Sequence, residues 1–533
     1  MARASGEGTL FQQVIRTLRA RGSREKIADS TGASLSGSDV LLRALLLRRI
    51  LRREFLSPAE THVAILLPPT AAAAVANLAL ALDRRVTVNL NYTLTPDLLN
   101  ACLAQAGITH VVTSKAFLAR FPLTLNAEFI HLEDPRERAT SIDKVVSAAL
   151  AKAAPDGVLL RTLGLSDAGA DELLTIIFTS GTTGVPKGVM LSRENVASNL
   201  RGVDHIVRWK TEDVIVGVLP FFHSFGSTIT LWGMLTRDVK AVYHTNPLEA
   251  RAIGQLVAKH RATVLPATPM FLRAYLNRAD ITDLRTLDVV AVGAEKMPLS
   301  LADDYEAATG VRPFEGYGMT EMSPLVSANV PKSRLHDPAW YREGTVGRPI
   351  PGTQVRVVDP ETFADLPSGE QGMLLVTGPG LMLGYLGNPA ATTAVVRDGW
   401  YVTGDIASVD ADEFITLHDR LSRFSKIAGE MVPHGAIEEA LATIIGPDEN
   451  GNAQVAVTSV PDDKRGERLV IIHTVPDLDA ATTVQRLAET GLPKLYLPAA
   501  QDFVLVEVLP IVGAGKLDLK RIRQMALEAR RTP

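Results

Sequence analysis

Cysteine is almost missing: the 533-residue chain carries one, Cys102. A single thiol excludes an intrachain disulfide, a CxxC redox pair and a cysteine-built zinc site, and it fits a reducing compartment, the cytoplasm. Cys102 stands among Leu98, Leu99 and Leu103, which reads as core packing rather than nucleophilic duty. An excess of one charge is missing too, because 55 Lys and Arg oppose 59 Asp and Glu for a net −4. No global basic field is left to hold nucleic acid. Residues 1–22 lack the apolar core of a secretion signal. Residues 64–82 approach membrane-spanning length but are broken by Pro68, Pro69 and Asn77, so they read as a buried strand and a core helix, and no transmembrane segment is expected. GxSxG and HExxH strings do not occur, which removes the usual hydrolase readings.

What is there is ordinary in bulk. The chain is about three to four times the usual domain unit, so several compact units are expected. Its 46% hydrophobic and 21% charged residues suit a folded globular protein. Within 40–56, Leu41, Leu42, Leu45, Leu46 and Ile50 recur at helical spacing while Arg43, Arg48, Arg49, Arg52 and Arg53 form a basic face. That pattern predicts an amphipathic domain helix, with peripheral membrane contact as the alternative.

Short apolar runs alternate with helical patterns through the first half: strands at 63–67, 86–89 and 109–113, helices at 71–82 and 96–106, then strands at 263–266 and 289–292. Alternation predicts an α/β architecture with a largely parallel sheet. After about Gly344 short strands separated by Gly and Pro predict a β-rich subdomain. Beyond Asp419 and Arg420 a hairpin at 424–432, a helix at 433–444 and later strands at 454–460, 469–475 and 503–508 predict a small α+β domain. The expected division is 1–420 and 421–533.

The most informative segment is 176–189, IIFTSGTTGVPKGV. A strand runs into Thr179, Ser180, Gly181, Thr182, Thr183 and Gly184, followed by Lys187; inward N–H groups, hydroxyls and an ammonium suit a polyphosphate. It is not a Walker A loop, since Pro186 and Gly188 flank the lysine.

This string heads a series: TSGTTGVPKG at 179–188, PFFHSFG at 220–226, GYGMTE at 316–321, YVTGD at 401–405, Asp419-Arg420, KIAGEMV at 426–432 and GAGKLDL at 513–519. Seven blocks in this order resemble the adenylate-forming superfamily of acyl-CoA synthetases, luciferase and peptide-synthetase adenylation domains. The resemblance implies a large ATP and acyl domain, a small mobile C-terminal domain, and a two-step reaction. A carboxylate is joined to ATP with release of pyrophosphate, and the acyl group then passes to a thiol.

Carried onto this sequence, the resemblance implies that 179–187 hold the β and γ phosphates. Glu321 would bind Mg2+, with Thr179 a second candidate, and Gly316, Tyr317, Gly318, Met319 and Thr320 would line the nucleotide, Tyr317 facing adenine opposite Gly293, Ala294 and Glu295. Asp405 would take the ribose hydroxyls with Arg420 beside it. Lys516 would be the catalytic lysine of adenylation, and His223 would gate or orient the acid. Lys426 and Gly429 would meet the thiol arm after a rotation hinged at 420–423. Two residues depart from the common pattern there: Arg423 stands where many members have aspartate or lysine, and Asp419 where glycine precedes the arginine.

RFSKIAGEMV and the stretch 89–118 resemble the synthetase half of bacterial acyl-carrier-protein synthetase and lysophospholipid acyltransferase fusions. None of the 11 histidines is followed by Asp at the fifth position, so an HxxxxD acyltransferase is not expected. A fatty acid is the expected substrate, with Leu231, Trp232 and Phe221 to Phe225 as first pocket residues; an amino or aryl acid is the alternative. CoA and acyl carrier protein remain open as acceptors.

Overall fold

The computed structural model describes residues 8–167, 169–179, 186–335, 340–428, 430–448, 453–462, 464–512 and 516–529. The alanine-rich run that approached membrane length forms the helix Ala71–Leu82, opened by Thr70, whose hydroxyl accepts the Ala73 N–H at 3.1 Å. Parallel strands His62–Ile65 and Val86–Asn89 flank it in sequence and pair with each other from His62↔Val86 to Ile65↔Asn89. Asn77 is fully buried yet satisfied: its amide and that of Asn89 exchange hydrogen bonds of 3.1 and 2.9 Å, and it also donates to Ala73 O. Among the described residues no helix is long and apolar enough to cross a membrane.

Two mixed sheets and their helices make the α/β body. One has seven strands, in the order Gly384–Tyr385, Lys187–Ser192, Leu173–Thr179, Val86–Asn89, His62–Ile65, His110–Thr113, Glu128–His131. It is parallel from Leu173–Thr179 onward and antiparallel at the other edge. A nine-stranded sheet repeats the plan, with a parallel centre and antiparallel edges. The expected parallel sheet is therefore present at both centres, and antiparallel additions cap the edges. Cys102 is 2% exposed in the core, and burial pushes its thiol up to about 12.

The basic stretch is the helix Gly37–Glu54, which buries Val40, Leu41, Ala44, Leu45, Ile50 and Leu51. Its arginines meet two buried carboxylates: Arg48 and Arg52 pair with Asp83 at 3.1 and 3.6 Å, Arg49 pairs with Asp143 at 2.7 Å, and Arg53 pairs with Asp143 as well. Tertiary pairing thus engages four of the five arginines of the basic face, and Arg43 is exposed. A second buried charge centre lies at Arg334, which donates to Asp213 at 2.7 and 2.8 Å and to Asp288 at 2.7 and 2.9 Å. Arg334 and Asp213 are both fully buried. Burial alone would raise the Asp213 carboxyl, but Arg334 holds it below its usual value.

The chain divides into two compact units, Met1–Val355 with Val376–Val402 and Glu413–Ile415, and Arg356–Leu375 with Thr403–Asp412 and Thr416–Pro533. Within the second, Phe424–Ile427 and Glu430–Pro433 form the expected hairpin, joined to Gly466–His473, Val455–Asp462 and Phe503–Leu505. Pro433 caps the helix His434–Ile445. His434 is buried at its first turn, its Nε2 2.6 Å from Ser425 Oγ. Burial, then Arg423 and Arg523, lower its pKa to about 4. The unfolded imidazole protonates near 6.5 and the folded one only near 4, so this group's stabilisation is complete above pH 6.5 and is lost as pH falls toward 4. The gap corresponds to ~3 kcal/mol. In urea titrations of the intact protein at several pH values, His434→Gln is expected to flatten the part of the stability decline lying in that window. An unchanged decline would show that His434 does not titrate on unfolding.

Candidate active site

Thr179 closes the strand Leu173–Thr179 and Lys187 opens the antiparallel strand Lys187–Ser192, and the ladder pairs them directly. Both ends of the predicted phosphate loop are thus neighbours, with Thr179 Oγ1 3.5 Å from Lys187 O. Ser180, Gly181, Thr182, Thr183 and Gly184 lie outside the described residues, as does Gly429. Lys187 Nζ sits 5.0 Å from the ring centroid of Tyr385, a cation–π distance.

The GYGMTE block begins in the strand Phe314–Gly318 and ends in a 3₁₀ turn, Thr320–Met322. A side chain at Gly318 would place its Cβ 2.2 Å from Pro324 O, so only glycine lets the strand turn there. Tyr317 is buried. Glu321 leaves the turn to accept a 2.7 Å hydrogen bond from the Tyr385 hydroxyl, and the Tyr401 hydroxyl interacts electrostatically with both. Burial, then the Glu321 carboxylate, push both phenols up, so they remain donors throughout the working pH range. Thr320 Oγ1 lies 3.1 Å from Ser224 Oγ, which ties this block to PFFHSFG.

That second block runs into a π-helix, Phe225–Trp232, an uncommon element often found beside functional sites. His223 precedes it, exposed, its ring 4.6 Å from that of Phe222. Leu231 and Trp232, expected to line the acyl pocket, are fully buried, and Trp232 packs edge-on to Phe11 at 6.3 Å. In the segment expected to face adenine, Val292 pairs with Glu315, which sets Gly293 beside Gly316. Ala294 follows with φ +74, a left-handed backbone that alanine rarely adopts, and Glu295 is half-buried.

In the second compact unit Arg420 Nε donates to Asp405 Oδ1 at 3.2 Å, so the two predicted ribose residues meet each other. Lys426 pairs with Glu361 at 2.6 Å, both largely exposed. Lys516 lies in the short strand Lys516–Leu517, whose backbone pairs with Ile511–Val512. The two residues that depart from the family pattern are partners: Arg423 Nε is 3.5 Å from Asp419 Oδ1, and Arg423 also pairs with Glu438.

Sequence reasoning missed Tyr385 and Tyr92. Tyr385 had no signal beyond a tyrosine after Gly384, and its importance lies in contacts far away in sequence. Tyr92 packs edge-on to Phe222 at 5.0 Å, and burial pushes its hydroxyl up to about 12. Motif strings cannot announce such pairs.

The sequence profile of the AMP-binding enzyme matches residues 16–386. The chain belongs to the AMP-binding enzyme family. Membership makes it an adenylate-forming ligase and leaves its acid unspecified. It is 30% identical to 4-coumarate--CoA ligase 5 of Oryza sativa subsp. japonica, over 86% of this chain and 84% of that protein. It is 32% identical to the long-chain-fatty-acid--CoA ligase of Salmonella typhimurium over 67% of this chain, and the match spans 62% of that relative's length. Among solved structures, ATP-bound MatB from Rhodopseudomonas palustris superposes with a TM-score of 0.78 at 26% identity, covering 96% of this chain and 98% of that one. The α/β fold with a larger N-terminal and a smaller C-terminal domain is the fold of this family.

A family cation would find a suitable donor in Glu321. Among the described residues no group of three or more His, Cys, Asp or Glu side chains stands ready to hold a metal. An ion here would be held by Glu321 and phosphate oxygens, with water completing the set. One carboxylate held by the Tyr385 phenol fits a hard ion such as Mg2+, which keeps several waters and needs few protein oxygens.

Proposed function

We propose that this chain activates a hydrophobic carboxylic acid with ATP and passes the acyl group to the thiol of CoA. In the first step a carboxylate oxygen attacks the α-phosphorus and the bond to the β-phosphate breaks, releasing pyrophosphate. In the second the thiol sulfur attacks the acyl carbonyl and AMP leaves. The observation that carries this reading is the meeting of Glu321 and Lys187 on Tyr385, which gathers a carboxylate for a cation and an ammonium for phosphate at one place.

The residue roles follow. Thr179 to Lys187 hold the β and γ phosphates; Glu321, with Thr179 as second donor, holds Mg2+, which when bound neutralises phosphate charge. Tyr317 and the Gly293 to Glu295 turn enclose adenine, and Asp405 takes the ribose diol, an ionised carboxylate being purely an acceptor. Arg420, now on Asp405, moves to ribose or phosphate when nucleotide enters. His223 orients the acid. Residues 421–533 act as the mobile domain on an adenylation domain of 1–420, presenting Lys516 for the first step and Lys426 with Gly429 for the second. The setting is the cytoplasm.

A medium-to-long fatty acid is favoured by the long-chain relatives and by the stretch FFHSFGSTITLW, which offers no carboxylate for an α-amino group. The 4-coumarate relative supports an aryl acid as second reading. The likeness to carrier-protein synthetases makes acyl carrier protein the second acceptor. Pyrophosphate release should be measured across fatty, hydroxycinnamic and amino acids, each with CoA or acyl carrier protein. Release with fatty acids and thioester formation on CoA is the expected result. Release with amino acids alone would overturn it.

A further inference from the structure

Tyr385 touches both charged groups assigned above to the phosphate site, yet belongs to none of the motif blocks. It is 5% exposed. Its hydroxyl donates to Glu321 Oε1 at 2.7 Å, and its ring centre lies 5.0 Å from Lys187 Nζ. The backbone around it is anchored to both groups' elements as well. Met382 N–H donates to Glu321 O at 2.8 Å, Tyr385 pairs with Val189 in the lysine's own strand, and Leu386 N–H donates to Gly188 O at 2.8 Å. Segment 382–386 is a clasp between the turn that carries the carboxylate and the strand that carries the ammonium.

We propose that Tyr385 is a positioning residue of the phosphate site, fixing the Glu321 carboxylate for the cation through its hydroxyl and the Lys187 ammonium for the phosphates through its ring. The inference rests on the functional reading of Glu321 and Lys187 given above. A carboxylate offers about four lone-pair sites, so accepting from a phenol leaves room for a cation while removing rotational freedom. The outer partner of a metal ligand sets its orientation, and losing one costs about 10- to 100-fold in metal affinity.

Two substitutions separate the two contacts. Tyr385→Phe removes the hydroxyl and keeps the ring; Tyr385→Leu removes both. Mn2+ binding is read by electron paramagnetic resonance in the presence of α,β-methylene-ATP, which cannot release pyrophosphate, and analogue binding without metal is read by calorimetry in EDTA. Tyr385→Phe is expected to weaken Mn2+ about tenfold or more and to leave metal-free analogue binding unchanged. Tyr385→Leu is expected to weaken metal-free binding as well, about three- to fivefold. Wild-type Mn2+ affinity in Tyr385→Phe overturns the proposal. So does equal weakening of both readouts in Tyr385→Phe with a lowered melting temperature, which a merely structural tyrosine would give. Absence of metal-dependent analogue binding in the unsubstituted protein would instead sink the functional reading itself.

Discussion

Lys516→Ala is expected to cut acid-dependent pyrophosphate release by about a thousandfold while leaving thioester formation from supplied acyl-adenylate near the level of the unsubstituted protein. The first step drives a carboxylate onto an already anionic α-phosphate. One ammonium about 4 Å from that crowding contributes about 4 kcal/mol at the effective dielectric of a partly screened site, which is about a thousandfold in rate. The second step brings a thiol to a mixed anhydride whose carboxylate charge is gone, so the same ammonium has little left to neutralise. Lys516 suits such a role because it follows the glycines of GAGK rather than sitting within a helix. Single-turnover assays of the two half-reactions decide it. Equal loss in both would remove Lys516 from the chemistry of the first.

Arg334→Met is expected to lower the unfolding free energy in urea by about 3–5 kcal/mol, the cost of leaving a buried carboxylate without its cation. Asp213 is fully buried and relies on two Arg334 hydrogen bonds, with Lys210 N–H and Thr263 Oγ1 as its other partners. Against a total of about 5–15 kcal/mol this is a large fraction. The double variant Arg334→Met with Asp213→Asn should recover part of the loss, since the stranded charge is then removed. A single variant as stable as the original protein would mean that Asp213 stays solvated or neutral. No recovery in the double variant would point to lost arginine packing instead.

These two residues mark how far the sequence could be read. Lys516 could be picked out as a candidate because its block is a contiguous string, as could Thr179, Lys187 and Glu321. The helix Ala71–Leu82 and the strands Val86–Asn89 and Val289–Val292 were legible because apolar periodicity and flanking turn residues are local. Arg334 was invisible, since its partners lie 121 and 46 positions away. Arg48, Arg49, Arg52 and Arg53 looked like part of a free basic face for the same reason, because Asp83 and Asp143 reach them only through the tertiary fold. The π-helix after PFFHS has no distinct pattern, as apolar spacing does not separate it from an α-helix. Tyr385 depends on three segments meeting and is a property of the fold alone.

The proposed phosphate loop lies in sequence between two antiparallel strands, Leu173–Thr179 and Lys187–Ser192, and not ahead of a helix. In nucleotide sites where a glycine-rich loop feeds a helix, the aligned peptide dipoles of that helix supply a fixed partial positive charge that cannot be mutated away or titrated. A strand ladder has almost no net dipole to offer. Under the proposed function the full positive charges offered to a triphosphate are therefore discrete carriers, the Lys187 ammonium and the cation proposed for Glu321, beside the N–H groups and hydroxyls that the 179–184 string supplies. Nucleotide affinity is consequently expected to depend on ionic strength and free divalent concentration more directly than in a helix-fed loop.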